Sequence, residues 1–160
     1  VDALAAELRQ AGYRIAVLRR EDRVGYKAGA LEAGMQASAG EFIGIFDSDF
    51  FPPREFYQRI LPHLWADEHC GFAQARWGHF NEADSWLTRA QAMGVDGHFI
   101  IEQTARNRSG LLMNFCGTAG VWRRAAIEDS GGWQHDTVTE DLDLSYRAQL
   151  RAGAPPTSRA

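Results

Sequence analysis

Only two cysteines, Cys70 and Cys116, occur in 160 residues, and neither has a neighbour at metal-ligand spacing. That excludes a disulfide-stapled scaffold and a cysteine-based zinc site, and it fits a reducing compartment. Positive charge is not in excess either. Seventeen Lys and Arg stand against 21 Asp and Glu, a formal charge of -4, so no nucleic-acid partner is expected. Apolar runs are short: none approaches the about 18 residues of a membrane span, and no signal peptide opens the chain. His79, His98 and His135 are too scattered to argue for zinc. What remains is 45% hydrophobic and 24% charged, the balance of one globular domain with a substantial core.

The periodicities alternate between helix and strand. Residues 1–11 carry Leu4 and Leu8 with charges between them, an amphipathic helix ended by Gly12. Residues 13–18 alternate and read as a strand, residues 19–29 as a polar, glycine-punctuated loop, and residues 28–39 as a helix stopped by Gly40. A buried strand then runs into Asp47, and Pro52-Pro53 opens a helix to about Leu64. This order predicts an α/β fold built on a parallel sheet with right-handed crossovers. Further on, residues 70–77 suggest a strand and 82–106 a largely helical stretch. Residues 111–121 read as a strand and turn, 123–129 as a short helix. The last helix, 141–152, has Leu142, Tyr146 and Leu150 on one face and Thr139 as its cap. The chain enters helical periodicity at once from Val1, and Gly153-Ala154-Pro155-Pro156 closes nothing, so a fragment of a longer protein is expected.

Phe42 to Asp49 is the most informative run, because an apolar strand ends in two carboxylates one residue apart. Buried acids need ion pairing or a cation, and the carboxyl end of a strand is where open α/β sheets bind ligands. Side chains two apart on an extended backbone share a face. Hard oxygen ligands at Asp47 and Asp49 suit Mg²⁺ or Mn²⁺ holding a diphosphate. A solvated surface loop is the plainer alternative. Lys27, and less strongly Arg23, lies just before or at a helix start, where free N–H groups and a cation favour phosphate. An ordinary exposed helix start has the same look.

Thr139-Glu140-Asp141 opens the last helix, whose dipole favours acids there. Asp141 follows the flexible Gly131-Gly132 and the aromatic Trp133, and a carboxylate beside a sugar hydroxyl is a plausible general base. Phe115-Cys116-Gly117-Thr118 joins a glycine able to approach a ligand closely with one hydroxyl. Core packing explains Phe115 and Cys116 equally well, and nothing adjacent in sequence gives Cys116 a base. Trp77 and Trp133 are either core or stacking platforms for a pyranose; local sequence does not separate the two.

Four ordered segments resemble processive glycosyltransferases of family 2, the cellulose synthase and mannan synthase group. They are residues 25–31 around Lys27, Asp47-Ser48-Asp49, Phe115-Cys116-Gly117-Thr118, and Thr139-Glu140-Asp141. Gln74 to Trp77 with Asn81, residues 114–124 and Gly131-Gly132-Trp133 are nearest in texture to glucomannan and mannan synthase-like members. The resemblance implies a GT-A fold, Rossmann-like and mostly parallel with flanking helices, here as a partial catalytic domain over residues 1–160. It further implies that Asp47 and Asp49 bind Mg²⁺ or Mn²⁺ and, with Lys27, a nucleotide-diphosphate sugar such as UDP-glucose or GDP-mannose. Asp141 becomes the catalytic base of an inverting hexosyl transfer to a growing β-glycan. Phe115, Cys116, Gly117, Thr118, Trp133 and Glu140 fall on the acceptor side.

In that family an opening strand and an aspartate motif precede the matched segments, and a Gln-x-x-Arg-Trp motif follows Thr-Glu-Asp; both would lie outside this chain. Gln74 to Trp77 differs in spacing and position and does not replace that motif. The family's membrane helices are likewise expected outside the chain, in a multi-pass protein whose catalytic domain is cytoplasmic. Two rivals remain: a non-processive glycosyltransferase of the same fold, and a catalytically silent carbohydrate-binding domain. A nucleotidyltransferase would use Asp47 and Asp49 but leave Asp141 and Trp133 without a role.

Overall fold

The computed structural model describes residues 1–151; Ala152 and the Gly153-Ala154-Pro155-Pro156 stretch lie outside the described residues. The elements, in chain order, begin with helices α1 (Asp2–Gln10) and α2 (Tyr26–Gln36), strand β1 (Phe42–Ile45), helix α3 (Phe56–Ala66) and strand β2 (Phe72–Gln74). A 3₁₀ turn at Glu82–Asp84 precedes helix α4 (Trp86–Asp96), a π-helical stretch Gly97–Gln103 and helix α5 (Thr104–Arg108). Strand β3 (Gly120–Arg123) and helices α6 (Arg124–Asp129) and α7 (Glu140–Arg151) complete the set.

The sheet differs from the mostly parallel one expected. Its order is β1-β3-β2, with β3 antiparallel to both neighbours. Because β1 and β2 both oppose β3, they run parallel to each other, and α3 is the crossover joining them. The strands expected at 42–46 and 70–77 are present, but a late strand wedges between them and runs opposite to both. The four residues of β3 are too short for periodicity to single them out from the apolar 111–121 stretch.

Alternation along the strands sorts side chains onto two faces. Ile43, Ile45, Phe72 and Trp122 join Met35, Phe115, Ile127, Trp133 and Leu144 on one face, while Phe42, Phe46, Ala73 and Val121 meet α3 on the other. On α3, Phe56, Ile60 and Leu64 recur every four residues and are all buried, each contributing roughly 1.5–3 kcal/mol. Helices thus cover both faces, as expected of an α/β domain.

Three local expectations need correction. Residues 13–18 form no strand and pair with none among the described residues, and Tyr13 and Leu18 are exposed; alternation alone supplies no ladder partner. The helix expected from Pro52 starts at Phe56, because Pro53 first closes a turn with the Phe56 N–H (3.0 Å). On α7 the buried face is Leu144, Ser145 and Ala148, with Leu150 exposed. Thr139 sits at the start of that helix and its carbonyl takes the Asp143 N–H at 3.1 Å. No described helix is long and apolar enough to cross a membrane.

Candidate active site

The loop before α2 is shaped by a left-handed Gly25 (φ +70°) and clasped by Arg20, whose guanidinium donates to the carbonyls of Val24 and Tyr26 at 2.7 Å each. This puts Lys27 in the first turn of α2. Its Nζ reaches across to Asp47 Oδ1 at 2.7 Å and to the Gly117 carbonyl at 3.1 Å. The Asp47 amide in turn donates to Thr118 Oγ1 at 2.8 Å. Segments 90 residues apart are thereby tied at one point.

Asp141 stands in the first turn of α7, with Oδ1 accepting the Leu142 N–H at 2.8 Å. Gly117 adopts φ +75°, and a Cβ there would lie 2.9 Å from Asp141 Oδ2 and 3.4 Å from Lys27 Nζ. Both side chains therefore share the space that the missing side chain leaves open. Lys27, Asp47, Gly117, Thr118 and Asp141 form one constellation. Glu140 lies half-buried beside Asp141.

The two acids after β1 part company. A turn closed by the Phe50 N–H on the Asp47 carbonyl (3.0 Å) interrupts the extended backbone, so the rule that alternate residues share a face stops at Asp47. Asp47 faces Lys27, whereas Asp49 is exposed and lines an open cavity of about 790 Å³. No group of three or more His, Cys, Asp or Glu is poised around a metal among the described residues. Two carboxylates are nevertheless a donor set that Mg²⁺ or Mn²⁺ accepts when substrate phosphates complete its shell.

Phe115 and Trp133 are 2% and 8% exposed and pack in the same core cluster, so their rings are held by the fold and the core alternative is the one the geometry matches. Cys116 does meet a base that sequence adjacency did not reveal. His98 Nε2 lies 3.3 Å from its Sγ, and His98 Nδ1 lies 3.0 Å from Glu102 Oε2. With a proton on Nδ1 toward the carboxylate, the ring presents Nε2 to both the thiol and the Gln103 amide, which lies 3.3 Å from it. Hydrogen bonds from His98 and then Arg106 hold the Glu102 carboxyl below its ordinary value. Burial pushes the Cys116 thiol up to about 11, with the charges of Asp141 and Glu102 adding to it and a hydrogen bond from Gln103 opposing. Cys116 is a neutral thiol, not an activated nucleophile.

Two buried glutamines have bracing roles that the sequence reading did not assign. Gln74, at the end of β2, accepts the Cys116 N–H at 3.0 Å and donates to the carbonyls of Thr118 (3.0 Å) and Ala75 (2.9 Å). Gln103, in the π-helical stretch, donates to the Asn114 carbonyl at 2.9 Å. Together they brace the 114–119 segment from both sides. Nothing local marks Gln103; for Gln74 the available signal was a polar residue in a core strand, which must find partners.

Comparison with known proteins identifies the family. The profile described as "Glycosyl transferase family 2" matches residues 1–131, a span holding Lys27, Asp47, Asp49 and the 115–118 turn and ending before Asp141. Glucomannan 4-beta-mannosyltransferase 2 of Arabidopsis thaliana is 44% identical over 143 residues, covering 88% of this chain and 27% of that protein. Glucomannan 4-beta-mannosyltransferase 1 of Cyamopsis tetragonoloba is 42% identical over 144 residues, again 88% and 27%. A probable glucomannan 4-beta-mannosyltransferase 7 of Oryza sativa subsp. japonica is 44% identical over 142 residues, 87% and 24%. The chain thus spans about a quarter of the length of these relatives. With a family profile matched over most of its length and relatives of this similarity, the chain belongs to glycosyltransferase family 2.

Proposed function

We propose that this chain is the catalytic part of an inverting hexosyltransferase that extends a β-glycan from a nucleotide-diphosphate sugar. The supporting observation is the convergence of Lys27, Asp47 and Asp141 around Gly117. Lys27 binds a donor phosphate as a point charge, exchanging part of its contact with Asp47 for the diphosphate. Asp141 accepts the proton of the acceptor hydroxyl as that oxygen attacks the anomeric carbon. The bond from that carbon to the diphosphate oxygen breaks, and the nucleotide diphosphate leaves with the bonding pair. A single displacement inverts the anomeric centre and needs no protein nucleophile, in keeping with the neutral Cys116. A Mg²⁺ or Mn²⁺ ion held by Asp49 and Asp47 would supply charge neutralisation for the departing diphosphate.

The relatives are named as mannosyltransferases making 4-beta linkages, which favours GDP-mannose over UDP-glucose as the donor. Much of the sheet and the acceptor-side motif would come from the remainder of a longer, multi-pass membrane protein with this domain on the cytoplasmic side. The test uses that full-length protein with each donor and each metal ion, comparing wild type with Asp141→Asn. Loss of a general base is expected to lower transfer about 10²–10⁴-fold while donor binding persists. Unchanged transfer in Asp141→Asn would remove the assigned base, and donor binding without any transfer by wild type would favour a silent carbohydrate-binding domain.

A further inference from the structure

Between α4 and α5 the helix widens into the π-helical stretch Gly97–Gln103. Such stretches are rare, replace the usual bonds four residues apart with bonds five apart, and recur at functional sites. Here the widening has a definite result. On an α-helix, positions five apart stand about 140° from one another around the axis, so His98 and Gln103 would face different ways. With a five-residue repeat they share a face, and Gln103 Nε2 lies 3.3 Å from His98 Nε2. Thr104 marks the same repeat, its hydroxyl donating to the Phe99 carbonyl at 3.3 Å.

Both side chains reach the 114–118 segment. His98 Nε2 is 3.3 Å from Cys116 Sγ. Gln103 Nε2 is 3.6 Å from the same sulfur and donates to the Asn114 carbonyl at 2.9 Å. On the other edge of the ring, Nδ1 meets Glu102 Oε2 at 3.0 Å, and the second oxygen of that carboxylate accepts from Arg106 Nε at 3.0 Å. A carboxylate on one ring nitrogen fixes the imidazole's tautomer and orientation. The His98, Glu102 and Arg106 side chains keep 32%, 47% and 32% of their surface exposed, and ion pairs so exposed add little to stability. What the chain of three supplies is direction, delivered to Cys116.

The segment it directs continues into the site. Gly117 follows Cys116 and its carbonyl accepts from Lys27 Nζ; Thr118 follows in turn and its hydroxyl accepts the Asp47 N–H. Gln74 holds this segment from the sheet, and His98 with Gln103 holds it from the helices.

We propose that His98 is a positioning residue for Lys27 at the donor diphosphate, acting through Cys116 and Gly117, with Glu102 and Arg106 setting its ring. The inference rests on the glycosyltransferase reading above. The alternative is a structural brace, and the two part in what a folded variant does.

The test compares full-length wild type, His98→Leu and His98→Gln in detergent. Leucine removes the acceptor at Nε2, whereas the glutamine amide oxygen restores one near that place. Each protein is melted first, and binding and rates are measured well below the lowest Tm. GDP and UDP, each with Mg²⁺, are the binding probes, because Lys27 meets a diphosphate before any sugar moves. His98→Leu is expected to weaken binding of the preferred diphosphate about tenfold and to lower kcat on the order of 10²-fold. His98→Gln is expected to recover affinity to within about threefold of wild type. Wild-type affinity and kcat in a folded His98→Leu protein would overturn the proposal, even with a lowered Tm, because the role is then structural. A loss that His98→Gln does not relieve would overturn it too. Should His98→Leu fail to fold, Glu102→Ala carries the test: the ring stays but loses its hold, diphosphate binding is expected to weaken about threefold, and no change overturns the proposal. The two readings separate cleanly. A protein that transfers no sugar, yet shows these shifts in diphosphate affinity, would sink the glycosyltransferase reading and leave the positioning of Lys27 standing.

Discussion

Replacing Gln74 with leucine is expected to damage the site without touching any substrate. The Gln74 side chain is 5% exposed and makes the bonds to Cys116, Thr118 and Ala75 described above. Leucine keeps much of the volume, so the loss is chiefly hydrogen bonding. The Cys116 N–H and the Thr118 carbonyl lose a partner in a closed turn, and each unsatisfied group costs about 1–3 kcal/mol. A total near 3 kcal/mol corresponds to a fall of about 6–12 °C in Tm for a unit of this size. The consequence reaches the reaction because Thr118 Oγ1 orients the Asp47 backbone and the Gly117 carbonyl orients Lys27. A misplacement of about 1 Å in such a constellation costs on the order of 10²-fold in rate. The assay is thermal unfolding of the full-length protein, followed by transfer rates measured well below both melting points. Gln74→Glu keeps an acceptor for the Cys116 N–H but turns a carboxylate toward two carbonyls, and it is not expected to rescue. A Gln74→Leu protein that melts within about 2 °C of wild type and transfers at the same rate would refute the reasoning.

Gly117→Ala is expected to cost about 1–2 kcal/mol from the left-handed backbone alone, and to place a methyl 2.9 Å from Asp141 Oδ2. Transfer should therefore fall by more than the stability loss explains; a melting shift with full activity would show that Asp141 does not work from that position. Cys116, pushed from its ordinary value of 9.0 up to about 11 chiefly by burial, should react with iodoacetamide at pH 8 roughly 100-fold more slowly than a free thiol, and faster only as the pH climbs toward 11. Since the folded value lies above the unfolded one, the neutral thiol's contribution to stability is fully present below pH 9 and is lost as pH rises through about 11; peptide mapping of the alkylated protein separates Cys116 from Cys70.

The sequence by itself singled out the candidate site residues and the order of most elements. Lys27, Asp47 and Asp141 stand at a helix start, a strand end and a helix start because local propensity and turn chemistry act over a few residues. The tertiary structure decided what those residues do to one another. It wedged β3 between β1 and β2, drew Gly117 under both Lys27 and Asp141, set Asp47 against Lys27 and Asp49 on a cavity, and gave Cys116 a histidine 18 residues distant. It also buried Phe115 and Trp133, an assignment that hydrophobicity cannot make because an aromatic ring serves a core and a sugar equally well. Spacing along a chain records which backbone geometry is favourable nearby; burial and contact between distant segments depend on how the sheet is ordered, and no local pattern encodes that order.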